Sequence, residues 1–145
     1  MNKILTALFA AAFCCGCVSL AGSYSYIPIG PQDLTRTVGD GKKMPVFITR
    51  EEIKRPWAAL GLMRVKNLPY KHDVIRQETE RLKAEAAKKG ADALIINQYI
   101  EENSHNAYPV TLAAYLVKYL DNLSDEDKIK VQEFAAAQII ENEAK

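Results

Sequence analysis

The hydrophobic positions of this chain follow two different periods. A period of two runs through "WAALGLMRVKN" at 57–67, and such alternation predicts a strand with one buried face. The residues on that face are Trp57, Ala59, Gly61, Met63 and Val65. The glycine within the run predicts a bulge or a close approach by a helix. The β-branched run "PVFIT" at 45–49 predicts a second, shorter strand.

A helical period follows in "DVIRQETERLKAEAAKKG", residues 73–90. Ile75, Leu82 and Ala86 form one apolar stripe, and the opposite face is charged, as in a helix that packs on a sheet. Asp73 is placed to cap the amino end of the helix. Gly90 follows the last periodic residue, where a helix end favours a positive φ. The sequence therefore predicts a helix that begins after Asp73 and ends before Gly90.

Two further strands are predicted after this helix. "ADALIINQYIEE" at 91–102 is apolar on both faces at its start, which is typical of a central strand. "AYPVTLAAYLVKYL" at 107–120 also carries leucines at helical spacing, so a helix is the alternative there. Pro109 and the β-branched Val110 and Thr111 favour a strand.

The last segment, 121–145, is predicted to be an amphipathic helix. Ser124 and Asp127 have the spacing of a capping pair. The apolar side is formed by Ile129, Phe134, Ile139 and Ile140. This helix either packs on the sheet, which is the commoner outcome, or binds a partner.

The amino-terminal residues have the order of a secretory signal. A positive charge at Lys3 precedes an apolar run from Ile4 to Phe13, which is shorter than the roughly twenty residues that span a bilayer. Every cysteine of the chain lies at 14–17. Ordinary secretion, with cleavage after Ala21, is one interpretation of this segment.

The end of the apolar run resembles the lipobox of bacterial lipoproteins, with Gly16 and Cys17 in its last two positions. The resemblance implies that residues 1–16 are a signal peptide and that Cys17 carries three acyl chains. No Asp follows Cys17, so the outer membrane is the expected location, with the domain facing the periplasm. No cofactor is predicted besides this covalent lipid.

Residues 17–44 are rich in Ser, Gly, Pro and Tyr and show no helical or strand period. We interpret them as a flexible tether, which at about 5–6 Å × √n would average roughly 30 Å. The alternative is that Tyr and Ile of "SYSYIPI" pack on the domain, which would order part of this segment.

Composition limits the function classes. The chain has 145 residues, of which 48% are hydrophobic and 26% charged, enough to bury one core. Without Lys3, Lys and Arg number 18 against 18 Asp and Glu. A balanced chain with no basic stripe gives no reason to expect nucleic acid as a partner.

Candidate chemistry is sparse. No Gly-x-Ser-x-Gly or His-Glu-x-x-His spacing occurs, so no catalytic residue is predicted. His72 and His105 are expected to be exposed loop residues. Glu101 and Glu102 with His105 are a minor alternative as metal ligands, but no metal site is predicted. The aromatic residues Trp57, Tyr70, Tyr99, Tyr108, Tyr115 and Tyr119 are expected in the core or on the sheet.

Three segments together, "RPWAALGLMRVKN", "ETERLKAEAAKKGADALIINQY" and "PVTLAAYLVKY", resemble a superfamily of small bacterial β-β-α-β-β domains. It includes the YbjQ-like proteins and the outer-membrane lipoprotein sensor of the Rcs envelope-stress phosphorelay. The shared features are Trp57, Leu60 and Gly61, and the turn from Lys89 to Ala93. Within this turn Gly90 supplies the positive φ, and Asp92 is expected to bond its own backbone.

The resemblance implies an α+β fold at 45–120, with a small antiparallel or mixed four-stranded sheet and one packed helix. The sensor's cysteines and a soft-metal cluster are both absent from this domain, so neither chemistry transfers. We expect a non-enzymatic, lipid-anchored domain that binds or senses another envelope protein. The alternative is a homo-oligomer formed by pairing of edge strands, as the ring-forming YbjQ-like proteins suggest.

Overall fold

The structure, a computed structural model, describes residues 23–34, 40–100 and 109–143; of residues 99, 100 and 137–143 it describes only the backbone. The elements are β1 (Ser23–Pro28), β2 (Val46–Phe47), β3 (Trp57–Leu68), α1 (His72–Lys88), β4 (Ala93–Ile100), β5 (Val110–Tyr119) and α2 (Asp125–Glu143). Short 3₁₀ turns lie at Gly41–Lys43, Arg50–Glu52 and Leu120–Asn122.

The strands form one mixed sheet in the order β1-β3-β5-β4-β2. Every neighbouring pair is antiparallel except β2 and β4, which are parallel. The predicted α+β class is confirmed, as are strands near 45–49, 57–67, 91–102 and 107–120. The predicted number of four strands is wrong, because β1 adds a fifth at one edge of the sheet.

The fifth strand comes from the segment that was predicted to be a tether. Ser23–Pro28 pairs along its whole length with β3. Leu34 and Met44 are buried in the main core, and the amide of Gln32 donates to the Leu60 carbonyl at 3.0 Å. The domain therefore includes Ser23–Pro28 and does not begin at residue 45, and the tether prediction for 17–44 is wrong wherever those residues are described. Residues 17–22 and 35–39 lie outside the described residues.

Gly61 sits at the predicted bulge. The register of β3 against β5 shifts between Ala59 and Gly61. The close approach is made by a side chain of β1, because a Cβ built on Gly61 would lie 2.5 Å from Cε2 of Tyr26. The expectation that a helix approaches Gly61 is therefore wrong. A second shift, after Val65, contains Asn67 at a φ of 62°.

Both ends of α1 are defined by backbone geometry. The amino-terminal cap is Lys71, so the prediction of Asp73 as the cap is wrong; Asp73 lies in the first turn, where its charge favours the helix dipole. At the other end Gly90 has a φ of 80°, as predicted. Its N–H donates to the Ala87 carbonyl and that of Ala91 to the Ala86 carbonyl, both at 3.0 Å. This pair of bonds is a Schellman motif.

The main core lies between α1 and the sheet. Its fully buried members include Met63, Val65, Leu68, Leu82, Leu94, Val110, Leu112 and Leu116. A smaller cluster on the opposite face joins Ile53 to Ile95, Val117 and Tyr119. Both faces of the central strands are therefore covered here, which explains why the first half of β4 and most of β5 are apolar.

Helix α2 begins at Asp125, and Oγ of Ser124 accepts the N–H of Asp127 at 3.2 Å, so the predicted capping pair is confirmed. Val131 packs against the main core, whereas Ile129 is 54% exposed. The predicted apolar side is wrong at Ile129, because the buried Asp127 and Val131 define the inward face instead.

Candidate functional site

One edge of the sheet is only partly covered. Strand β2 pairs with β4 at two positions, Val46 with Leu94 and Phe47 with Ile95. The chain then turns away, and the Ile48 N–H donates to Oε2 of Glu52 at 3.1 Å. Strand β4 continues to Ile100. Its second half therefore extends beyond the strand that covers its first half.

The backbone of this second half faces outward. Leu94 donates its N–H to the Pro45 carbonyl at 3.1 Å, so residue 94 turns its N–H toward the outer edge. Strand β4 pairs with β5 without a register shift, so residues 96 and 98 turn the same way. Among the described strands, none pairs with this edge beyond Ile95. The N–H and C=O of Gln98 are therefore placed to bond an added strand.

An open groove of about 650 Å³ runs beside this edge, between β4 and α1. Its aliphatic lining consists of Val46, Ile48, Ile75, Ile96 and Leu112, and its polar lining of Thr79, Asn97 and Gln98. Two aliphatic side chains here are exposed, Val46 at 41% and Ile48 at 71%. None of the described residues that line it carries a charged side chain. A groove of this kind accepts an extended segment with apolar side chains.

The predicted turn residues form a second, structural cluster at the start of β4. Nζ of Lys118, which is 2% exposed, donates to the Gly90 carbonyl and to Oδ1 of Asp92, both at 3.1 Å. Oδ2 of Asp92 accepts the N–H of Tyr119 at 2.9 Å. The expectation that Asp92 bonds its own backbone is wrong, because its carboxylate joins the turn to β5 and neutralises a buried ammonium.

Arginine guanidinium groups contact aromatic rings of β5. Trp57, Tyr115 and Tyr119 belong to the smaller apolar cluster, as expected for sheet residues. The guanidinium of Arg55 lies 4.1 Å from the Tyr119 ring centre and bonds the Asp121 carboxylate at 2.7 Å. Burial raises the pKa of Tyr119, and the nearby Arg55 charge opposes this shift. The contacts stabilise the turn between β5 and α2.

The other candidate residues named from the sequence do not form a site among the described residues. His72 is exposed at the start of α1, and Tyr70 is 65% exposed. Cys17, Glu101, Glu102, His105 and Tyr108 lie outside the described residues. Across 23–34, 40–100 and 109–143, no three His, Cys, Asp or Glu side chains are grouped as metal ligands. Within the same ranges, no helix is long and apolar enough to cross a membrane.

Comparisons with known proteins add little. No family model and no curated protein matches the chain. A crystal structure of the Francisella virulence factor FvfA is similar over 65% of this chain and 95% of its own, with 16% identity and a TM-score of 0.47. A likeness of this size is too weak to assign a function. The resemblance to YbjQ-like proteins and to the Rcs sensor stays a prediction.

Sequence reasoning missed the groove. Its lining residues come from β2, α1, β4, β5 and the residue after β2, and each looks like an ordinary core or strand residue in isolation. One local signal was present: the strand pattern of 45–49 stops after five residues, whereas that of 91–102 continues for twelve. Unequal neighbouring strands leave part of an edge open.

Proposed function

We propose that this chain is a lipoprotein of the bacterial envelope, acylated at Cys17 and held at the outer membrane. In this proposal the domain has no enzymatic activity and binds an extended segment of another envelope protein. The segment adds as a strand to the outer edge of β4, beyond Ile95. The observation that carries the proposal is this open edge beside a groove whose described lining is mainly aliphatic and holds no charged side chain.

The chemistry of the edge defines the partner segment. Added strands gain main-chain hydrogen bonds, each worth about 0.5–1.5 kcal/mol net. Alternate side chains of the segment would enter the groove and contact Val46, Ile48 and Ile75. Since the described lining residues are aliphatic or uncharged polar, these side chains are expected to be aliphatic or aromatic.

The same edge supports a second candidate, a homo-oligomer in which two copies pair through β4. An open edge is self-complementary when two antiparallel copies meet about a two-fold axis. Light scattering after size exclusion distinguishes the two: a monomer at high concentration contradicts the homo-oligomer and leaves the heterologous partner.

The lipid anchor is tested by the intact mass of protein extracted from membranes, compared with a Cys17→Ala variant. We expect the mass of the chain from Cys17 plus three acyl chains and a glycerol, and we expect the variant to lose this addition. A soluble chain that begins at Gly22 would contradict the anchor and the envelope location together.

The edge is tested by Gln98→Pro, which removes the outward N–H that an added strand needs. Gln98→Ala is the matched control, because it shortens the side chain and keeps the N–H. In cells treated with a cross-linker, the partner recovered with Gln98→Pro should fall at least about tenfold, whereas Gln98→Ala should retain it. Equal recovery with both variants would contradict strand addition at β4.

A further inference from the structure

The start of β1 lies close in sequence to the proposed lipid. Five residues, 18–22, separate Cys17 from Ser23. Six Cα-to-Cα steps span at most about 20 Å when fully extended. The edge that holds β1 is therefore kept near the bilayer surface. This step rests on the proposed acylation of Cys17.

The surface around β1 is basic on both faces of the strand and aromatic on one of them. On one side, Lys66 and Arg64 of β3 lie opposite Ser23 and Ser25. On the other side, α1 places cations over the tyrosines of β1: the Arg81 guanidinium is 5.9 Å from the Tyr24 ring and the Lys89 ammonium 4.0 Å from the Tyr26 ring. The β1 surface is defined here by seven residues: Tyr24, Tyr26, Arg64, Lys66, Arg81, Lys88 and Lys89.

The charge of the β1 surface is net positive. Its five cations are Arg64, Lys66, Arg81, Lys88 and Lys89. Two carboxylates pair with them: Glu78 lies 2.9 Å from Arg81, and Glu85 lies 2.7 Å from Lys88. Five positive charges less two negative ones leave an excess of three. The mature chain as a whole has none, so positive charge is concentrated at this edge.

The side chains of this surface are accessible. Tyr24 is 43% exposed, the Arg81 side chain 43% and the Lys88 side chain 68%. Ile27, on the face of β1 opposite the tyrosines, is also 43% exposed. Tyrosine and exposed aliphatic side chains beside Lys and Arg are the composition that a membrane interface favours.

We propose that the β1 surface rests on the anionic headgroups of the membrane in which Cys17 is anchored. The short connection brings the surface to the bilayer, and its positive charge complements anionic lipid. Strands are spaced about 4.8 Å apart, so three intervals from β1 to β4 set the groove roughly 14 Å farther from the membrane. The open edge of β4 then faces away from the lipid.

The test is the rate at which a water-soluble amine reagent acylates individual lysines of the full lipoprotein in vesicles. One vesicle contains phosphatidylcholine alone, and the other contains phosphatidylcholine mixed with phosphatidylglycerol. Lys66 and Lys88 should react at least about threefold more slowly on the anionic vesicle. Lys54, beyond the opposite end of the twelve-residue β3, is the internal control and should react equally on both.

Two double variants that lose the same charge test whether the protection of Lys88 depends on the β1 surface. Arg64→Gln with Lys66→Gln should abolish the protection of Lys88, while Arg50→Gln with Lys54→Gln, an equal loss of charge elsewhere, should preserve it. Equal rates on the two vesicles, with the protein still bound to both, would overturn the β1 surface and leave the anchor intact. Protein that does not float with either vesicle would overturn the anchor and this inference with it.

Discussion

The two edges of the sheet differ in how they are covered and charged. The β1 edge is a six-residue strand with tyrosines on one face and cations of β3 and α1 beside it. The opposite edge ends in the two-residue β2, beyond which β4 is bordered by an uncharged apolar groove. A chain with balanced charge thus has one basic edge and one apolar edge.

This difference shows how a small domain can separate two interactions. Positive charge concentrated near a proposed lipid anchor favours a lipid surface, whereas an apolar groove with open backbone groups favours a peptide. In our proposal the two edges face opposite directions, so occupation of one leaves the other accessible.

The largest expected effect comes from the ion pair that joins the turn before β4 to β5, in the centre of the sheet between the two edges. Asp92→Ala would leave the Lys118 ammonium buried without its carboxylate, and we expect the free energy of unfolding to fall by about 3–5 kcal/mol in urea titrations. Adding Lys118→Met removes the buried charge and should recover most of this loss. A single-variant loss below about 1 kcal/mol would contradict the assigned role of Asp92.

The next change disrupts the β1 edge alone. In Gly61→Ala the new Cβ would overlap the Tyr26 ring, whose hydroxyl bonds Oε1 of Gln32 at 2.8 Å. We expect a loss of about 1–3 kcal/mol in the free energy of unfolding. In a Tyr26→Ala background the same substitution should cost much less, because the obstacle is gone. Equal costs in both backgrounds would mean that the two residues do not couple.

A proline comparison sharpens the contrast between edge and centre. Gln98→Pro removes an N–H with no partner strand among those described, so the loss of unfolding free energy should stay below about 1 kcal/mol. Ala113→Pro, in β5 between two paired strands, should cost about 3 kcal/mol or more. Similar losses in thermal or urea unfolding would mean that the edge of β4 is covered.

The smallest effect is on pH dependence at the β1 edge. Burial, with a contribution from Glu85, raises the pKa of Tyr24 above its ordinary 10.0. The unfolded chain then loses this proton at a lower pH than the folded one, so stability falls as the pH rises from about 10 through the raised pKa. Tyr24→Phe should lose less stability across this range in urea titrations. An equal loss would show that Tyr24 contributes nothing to it.

Local signals predicted the elements that depend on local geometry. Gly90 after "AEAAKK" predicted the end of α1, and Pro109 with Val110 predicted a strand where leucine spacing allowed a helix. The α+β class, which the family resemblance implied, agrees with these elements. Asp92 was recognised as a turn residue, but its partners lie 26 and 27 positions away on β5, so no local rule identifies them.

The edges were harder to predict because they depend on pairing. Ser23–Pro28 is mostly exposed and lacks a buried stripe, so its composition is that of a linker. Its strand conformation follows from pairing with β3 and from the fit of Tyr26 over Gly61. The groove likewise exists only once β2 stops short of the end of β4. Tertiary contacts define both features.

The central claim is that the β1 edge faces the membrane and the β4 edge faces away from it. The most direct test attaches a spin label to Ser25→Cys or Gln98→Cys in the vesicle-anchored lipoprotein. In our proposal Cys14 and Cys15 leave with the signal peptide and Cys17 is acylated, so the label has one free thiol. Collision with a water-soluble nickel chelate then reports exposure. The label at residue 25 should collide rarely with the nickel chelate and often with membrane-soluble oxygen. The label at residue 98 should be fully accessible to the chelate. Equal accessibility, or stronger shielding at 98, would contradict the account.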